Sequence, residues 1–220
     1  MSRARTMSRD SAAGLACSMP KHHTLIPIAG VLGALVLAPS AFAGQPPRSD
    51  LNPPPPDFYT CQATGDQTIC RAERQEHHDP APTGVFCPTF EVSDQGDVEQ
   101  QLMRRYDKDG NFVERVIRER WTNAMWSNPL TGDTVPYTQR GITHDVATVP
   151  GDLDSIVETL NGENIYTDPV THKVVMRSTG RIVFGPDGSL LDYSGNQWVV
   201  DVFYNGDTSV LDGVCAALAR

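Results

Sequence analysis

The residues able to do acid–base or metal chemistry are few in this chain, and they stand as neighbours. His77-His78-Asp79 is one group and His144-Asp145 is the other. A histidine oriented by a carboxylate can take a proton from water or from a substrate hydroxyl, which makes His144 with Asp145 the catalytic candidate. Adjacent side chains on an extended chain point to opposite sides, and no serine in a strained glycine elbow accompanies the pair. The same rule separates His77 from His78. With prolines beside them and no third ligand at metal spacing, they are expected in an exposed loop with no metal. Asp107 to Asn111, "DKDGN", begins like a calcium loop, but Phe112 and Arg118 occupy the places of the required glycine and glutamate. It reads as a turn, as does His172 in "DPVTHK". No motif calls for a cofactor. Trp121, Trp126, Trp198 and Tyr204 are the candidates for lining a ligand cavity, although aromatic stripes on strands usually build core.

The cysteines do framework chemistry. In an exported chain cut after Ala43, Cys61, Cys70, Cys87 and Cys215 remain, an even number suited to two disulfides. Gly65-Asp66 reads as a two-residue hairpin loop. Counting outward from it places Cys61 opposite Cys70 at a non-hydrogen-bonded site, where Cα atoms approach to about 4.5 Å. That distance suits a disulfide. Cys87 with Cys215 is the remaining bridge. No Cys-x-x-Cys is present, so both pairs read as structural.

The case for export rests on the first 43 residues. Lys21 and two histidines precede the apolar run "TLIPIAGVLGALVLAPSAFAG", which ends in Ala41-Phe42-Ala43, the arrangement of a signal peptide. Pro27, Pro39 and Ser40 break the run, against a transmembrane helix of about 20 unbroken apolar residues. Translation could begin at Met1, Met7 or Met19, and Cys17 precedes the apolar run, where a lipobox cysteine does not lie. Over the whole chain the net charge is −9; beyond residue 43 there are 14 basic and 26 acidic residues. Nucleic-acid binding needs a basic surface, so it is not expected. The expected location is secreted or extracytoplasmic, with no transmembrane segment after cleavage. Residues 44–57, "GQPPRSDLNPPPPD", read as a proline-rich spacer outside the core. Residues 58–86 read as a disulfide-linked hairpin and loop, and 87–220 as a β-rich domain.

That domain is punctuated by turn dipeptides: Asp109-Gly110, Gly132-Asp133, Asn161-Gly162, Asp187-Gly188 and Asn205-Gly206. Each can supply the positive φ of a tight hairpin. Val174, Met176, Ser178, Gly180, Ile182 and Phe184 alternate with Arg177, Thr179 and Arg181, the pattern of a half-buried strand; Gly180 and Ser178 leave room for a bend or a close neighbour. Trp198, Val200, Val202 and Tyr204 predict another strand. "FVERVIRERW" has helical spacing, but the hairpin signal before it, with Arg104-Arg105-Tyr106 across the turn ready to pair with Glu114, favours strand. Leu211, Val214, Cys215 and Leu218 share one face of a C-terminal helix.

"CPTFEV" at Cys87, "RYDKDGN", "NPLTGDTV" at Asn128 to Val135, "RIVFGPDGSL" and the closing "VCAALA" resemble, in their order, a loose group of uncharacterised exported bacterial proteins built of successive β-hairpins between a first and a last cysteine. The likeness runs from about Cys87 to Ala219. It implies fold, address and the long disulfide, and it carries no activity. The expected fold is all-β: an antiparallel meander of eight to ten strands, closed into a barrel or sandwich, with one short C-terminal helix. The expected function is that of a secreted non-catalytic protein binding a small apolar ligand or a cell-surface partner. Two alternatives stand beside it: a hydrolase- or isomerase-like barrel enzyme using His144, and a structural envelope protein.

Overall fold

Apolar residues at every second position, separated by turns rich in glycine, asparagine and aspartate, build hairpins one after another. The computed structural model describes Arg48–Arg220; the leader, its cleavage site and residues 44–47 lie outside the described residues. Eight strands follow in chain order: β1 Thr60–Thr64, β2 Gln67–Cys87, β3 Phe90–Tyr106, β4 Phe112–Ser127, β5 Thr134–Ala147, β6 Ile156–Thr167, β7 Val174–Phe184 and β8 Leu190–Asn196. Each pairs antiparallel with its sequence neighbours, in the order β1 to β8. The meander is therefore as expected, but β1 and β8 do not meet. The sheet is open, with neither barrel closure nor a second sheet among the described residues.

The structure corrects the expected boundaries. Residues 71–86, expected as a loop, continue β2 along β3, and the ladder slips its register at His78/Ala81 and Pro82/Phe86, where Pro80 and Pro82 cannot donate. The supposed spacer is docked: Leu51 and Pro55 are buried, and the Asn52 amide and carbonyl bond to Gly110 and Phe112 at 2.8 Å. Trp198–Asn205 is helical rather than a strand. Its first turn, α1 Trp198–Val200, runs into a wider turn, Asp201–Asn205, that ends on Gly206 at φ 70. Asn-Gly supplies a left-handed residue, and a helix C-terminus uses that conformation as readily as a hairpin does. The C-terminal helix, α2 Asp212–Leu218, is as expected, and so is strand geometry for "FVERVIRERW" in β4.

Three of the five dipeptides make turns. Asp107–Asn111 and Gly185–Ser189 are the same device, a tight turn closed by a glycine at positive φ, Gly110 at 81 and Gly188 at 78. Asn128–Asp133 and Asp168–Lys173 form a second matched pair, with Gly132 and His172 at positive φ. Asn161-Gly162 instead lies inside β6. There Gly141, Gly162, Gly180 and Gly195 stand opposite one another across β5 to β8. A Cβ on Gly180 would sit 2.0 Å from the Ser194 carbonyl oxygen. Backbones approach closely along this row, the close neighbour for which the small residues of β7 leave room.

Two separate cores lie on one face of the sheet. At one end Val92, Trp126, Val135, Tyr137, Tyr166 and Met176 pack beneath Leu211, Val214, Ala217 and Leu218. At the other, Tyr106, Phe112 and the Cys61–Cys70 bridge pack beneath Leu51 and Tyr59. The second bridge, Cys87–Cys215, holds α2 in place with Cα atoms 5.5 Å apart. In the first bridge they are 3.9 Å apart, with Cys61 directly opposite Cys70. Both pairings are as expected, and both belong to an oxidising compartment. We call this side of the sheet the capped face. The opposite, uncapped face carries polar and charged side chains through its centre, and no helix among the described residues is long and apolar enough to cross a membrane.

Candidate functional site

The alternation of strand side chains divides the chemically capable residues between the two faces. His144 is on the uncapped face and Asp145 on the capped one, so the pair does not act together. Asp145 is fully buried and ion-paired to Arg115, whose Nε lies 2.5 Å from Oδ2; Oδ1 has no hydrogen-bond partner. His144 finds its carboxylate on the neighbouring strand instead, with Nε2 2.6 Å from Glu114 Oε1. Arg105 Nε donates to the other oxygen, also at 2.6 Å. Burial raises the Glu114 pKa, but the hydrogen bonds from Arg105 and His144 outweigh it and hold the carboxyl below its ordinary value. The result is an ionised carboxylate already shared between two donors.

His77 and His78 part in the same way. His77 lies on the uncapped face with Nδ1 2.7 Å from Asp97 Oδ1, and Asn123 donates to Asp97 Oδ2 at 2.8 Å. Asn123 is at φ 50, where β4 bulges against β3 and β5. The hydrogen bond to Asp97 raises the His77 pKa. Asp97 is held down first by Asn123 and then by His77. His78 turns to the capped face and stacks at 4.9 Å on Trp121. Among the described residues no cluster of three or more metal-ligating side chains forms.

The aromatic candidates also separate. Trp126 is buried core, 4.6 Å from Tyr166 and 5.3 Å from Trp198. Trp121 and Trp198 pack against that core with buried indole nitrogens that have no hydrogen-bond partner. Tyr204 is exposed, and its hydroxyl reaches the Gly188 carbonyl at 3.3 Å.

A half-buried carboxylate, Asp94, was missed in the sequence. Burial raises its pKa, and the Tyr137 hydroxyl donates to its two oxygens at 3.0 and 3.1 Å. Burial, followed by the charge of Asp94, drives Tyr137 well above the ordinary phenol range. The available signal was the alternation Phe90, Val92, Asp94, which puts a carboxylate in an apolar stripe. Its partners come from a strand 43 residues away and could not be read locally.

The other group that sequence reading missed is a set of arginines. Arg71, Arg118, Arg120 and Arg140 are all exposed, and the register places all four on the uncapped face. Arg120 stands directly opposite Arg140, with Glu99 on its other side. A shallow groove of about 280 Å³ beside them is lined by Glu73, Gln75, Glu99, Glu119, Arg118 and Arg120, among others. The architecture is thus an open antiparallel meander with a helical cap and a polar free face. No family model, curated protein or solved structure matches the chain.

Proposed function

We propose that this chain is an exported, non-catalytic binding module of the hairpin-built bacterial group that its motifs resemble, and that it meets a surface partner through the uncapped face. The observation that carries this reading is the asymmetry of the sheet. Both cores and both bridges stabilise one side, while the centre of the other presents exposed Arg118, Arg120, Arg140 and Ile142. A polar, rigid, solvent-facing sheet is a platform for recognition. Catalysis by His144 is less favoured, because Glu114 is already held by Arg105 and has little basicity to lend. The test is retention of purified residues 44–220 on cell-envelope particles. Negative charge added to the uncapped face, Ile142→Glu with Thr138→Glu, should abolish retention, whereas Val170→Glu in the exposed Asp168–Lys173 loop should not. Equal retention of both variants would refute the reading.

The apolar-ligand reading keeps one place to act. A groove of about 560 Å³ beside the Cys87–Cys215 bridge is lined by Phe86, Pro88, Phe90, Leu211, Ala216 and Ala219, among others. Native mass spectrometry of the protein purified from its host's medium would reveal a co-purifying small molecule there, and Ala216→Trp should displace it.

A further inference from the structure

Arginine finds a carboxylate almost everywhere in this structure. Among the described residues, Arg48, Arg74, Arg105, Arg115, Arg177, Arg181 and Arg220 form ion pairs, and Arg104 lies over the Tyr59 ring. The four that remain, Arg71, Arg118, Arg120 and Arg140, all lie on the uncapped face. In so acidic a chain, unpaired guanidinium groups gathered on one surface are an arrangement that the fold itself does not use.

Their register adds a cost. Like charges directly opposite on neighbouring strands destabilise a sheet, and Arg120 faces Arg140. Arg118 lies two residues along β4 on the same side, about 7 Å away by strand geometry. Three guanidinium groups are therefore held close together on a rigid ladder, with their planar donor forks unoccupied. Around them stand Gln75, Gln101, Glu73 and Glu99, with Glu163, ion-paired to Arg177, directly opposite Arg140 and Asn161 on β6 completing the row Arg118, Ile142, Asn161. A polymer charged at every unit, whether with phosphate or carboxylate, would set some of its charges against Glu73 and Glu99 and be repelled there. A polymer that carries both carboxylates and hydroxyls meets complementary groups throughout: bidentate arginines for its carboxylates, amides and glutamates for its hydroxyls.

From this we infer, building on the binding reading above, that the uncapped face recognises an acidic, uronate-containing polysaccharide, with Arg118, Arg120 and Arg140 as the carboxylate contacts. The contacts are exposed, so binding weakens as salt rises. The experiment is calorimetric titration of residues 44–220 with oligogalacturonate, its methyl ester, and poly-glutamate of matched charge. Oligogalacturonate should bind, the ester at least about tenfold more weakly, and poly-glutamate more weakly than the uronate, since bidentate arginines read the carboxylate while the amides and glutamates read hydroxyls. Arg118→Gln/Arg120→Gln/Arg140→Gln should lose about tenfold or more, Arg140→Gln alone a smaller part of that, and Arg177→Gln, whose arginine is already paired, almost nothing. All four positions are exposed, and the thermal transition of each variant confirms folding. Absence of oligogalacturonate binding, unchanged affinity in the triple variant, or poly-glutamate binding as tightly as the uronate would each overturn the inference. Envelope retention that depends on the uncapped face, found without uronate binding, would overturn it while leaving the binding reading intact.

Discussion

Replacing Cys87 and Cys215 together by alanine tests how the capped face is held. The bridge spans a sequence separation of 128, against 9 for Cys61–Cys70. Loop-closure entropy grows with the logarithm of length, so the long bridge contributes about 5 kcal/mol and the short one about 2.7 kcal/mol. Typical domains are stable by about 5 to 15 kcal/mol, which makes the first loss a large fraction of the whole. A second effect acts in the folded state. Leu211, Val214 and Leu218 are 2%, 0% and 0% exposed, and each contributes about 1.5 to 3 kcal/mol when buried. Without the bridge, α2 keeps two polar ties, the Asn128 amide on the Leu218 carbonyl at 3.0 Å and the Arg220–Asp168 ion pair, so it can open before the sheet does. Urea unfolding followed by tryptophan fluorescence should show a loss of about 4 to 6 kcal/mol for Cys87→Ala/Cys215→Ala and no more than about 3 for Cys61→Ala/Cys70→Ala, by the same loop entropy. Hydrogen exchange should show α2 amides losing protection ahead of β4 and β5. Equal losses for the two pairs, or unchanged protection of α2, would refute the reasoning.

Three further outcomes follow from the geometry. Gly188→Val meets nothing within 4 Å and should cost only the backbone penalty of its φ of 78, about 1 to 2 kcal/mol; Gly180→Ala, whose Cβ would lie 2.0 Å from a carbonyl oxygen, should cost clearly more in the same melt, and a reversed order would refute the close approach at Gly180. The His77 pKa, raised above 6.5 chiefly by its hydrogen bond to Asp97, should fall in Asp97→Asn when followed by NMR. Because the folded value is the higher one, the link stabilises fully below 6.5 and is lost as pH rises through the folded pKa, so an unchanged midpoint would break the assignment. Asp168 is depressed, first by Arg220 and then by the Thr171 backbone; its stabilisation is present above 3.8 and disappears as pH falls through the folded value. Asp168→Asn should therefore flatten the acid limb of the stability curve, and an identical limb would count against the Arg220 tie.

The local grammar of the fold was legible and its closure was not. The Cys61–Cys70 register followed from one turn, and the buried set of β7 followed from alternation, since both are decided within a dozen residues. The strand in "FVERVIRERW" could be preferred over a helix because its partner, Arg105, sits just across a turn. Asn161-Gly162 and Asn205-Gly206 misled because a glycine that suits a hairpin also suits a close approach of strands, as at Gly162, and a helix end, as at Gly206, and tertiary packing decides between them. Barrel closure failed for a similar reason: whether β1 meets β8 depends on the summed twist of eight strands and on the cap, which no window of sequence contains. The candidate site was half visible. Alternation correctly parted His144 from Asp145 and His77 from His78. The grouping of Arg71, Arg118, Arg120 and Arg140 needs the register of four strands at once.

The Cys87–Cys215 bridge also constrains the order in which the molecule can be made. Every hairpin of the meander joins neighbours in sequence, so each can form as soon as its second strand reaches the oxidising compartment. Cys61 and Cys70 can be oxidised at that stage, directly opposite each other. Cys87 must then wait, as a reduced thiol, while the remaining strands are added, because its partner lies in the last helix of the chain. If it is captured early by Cys61 or Cys70, the chain is trapped with α2 undocked, and thiol–disulfide exchange must undo the error. The yield of native protein in an oxidising compartment is therefore set by a race between meander completion and premature oxidation, and a disulfide isomerase should raise that yield far more than a chaperone that only holds unfolded chains.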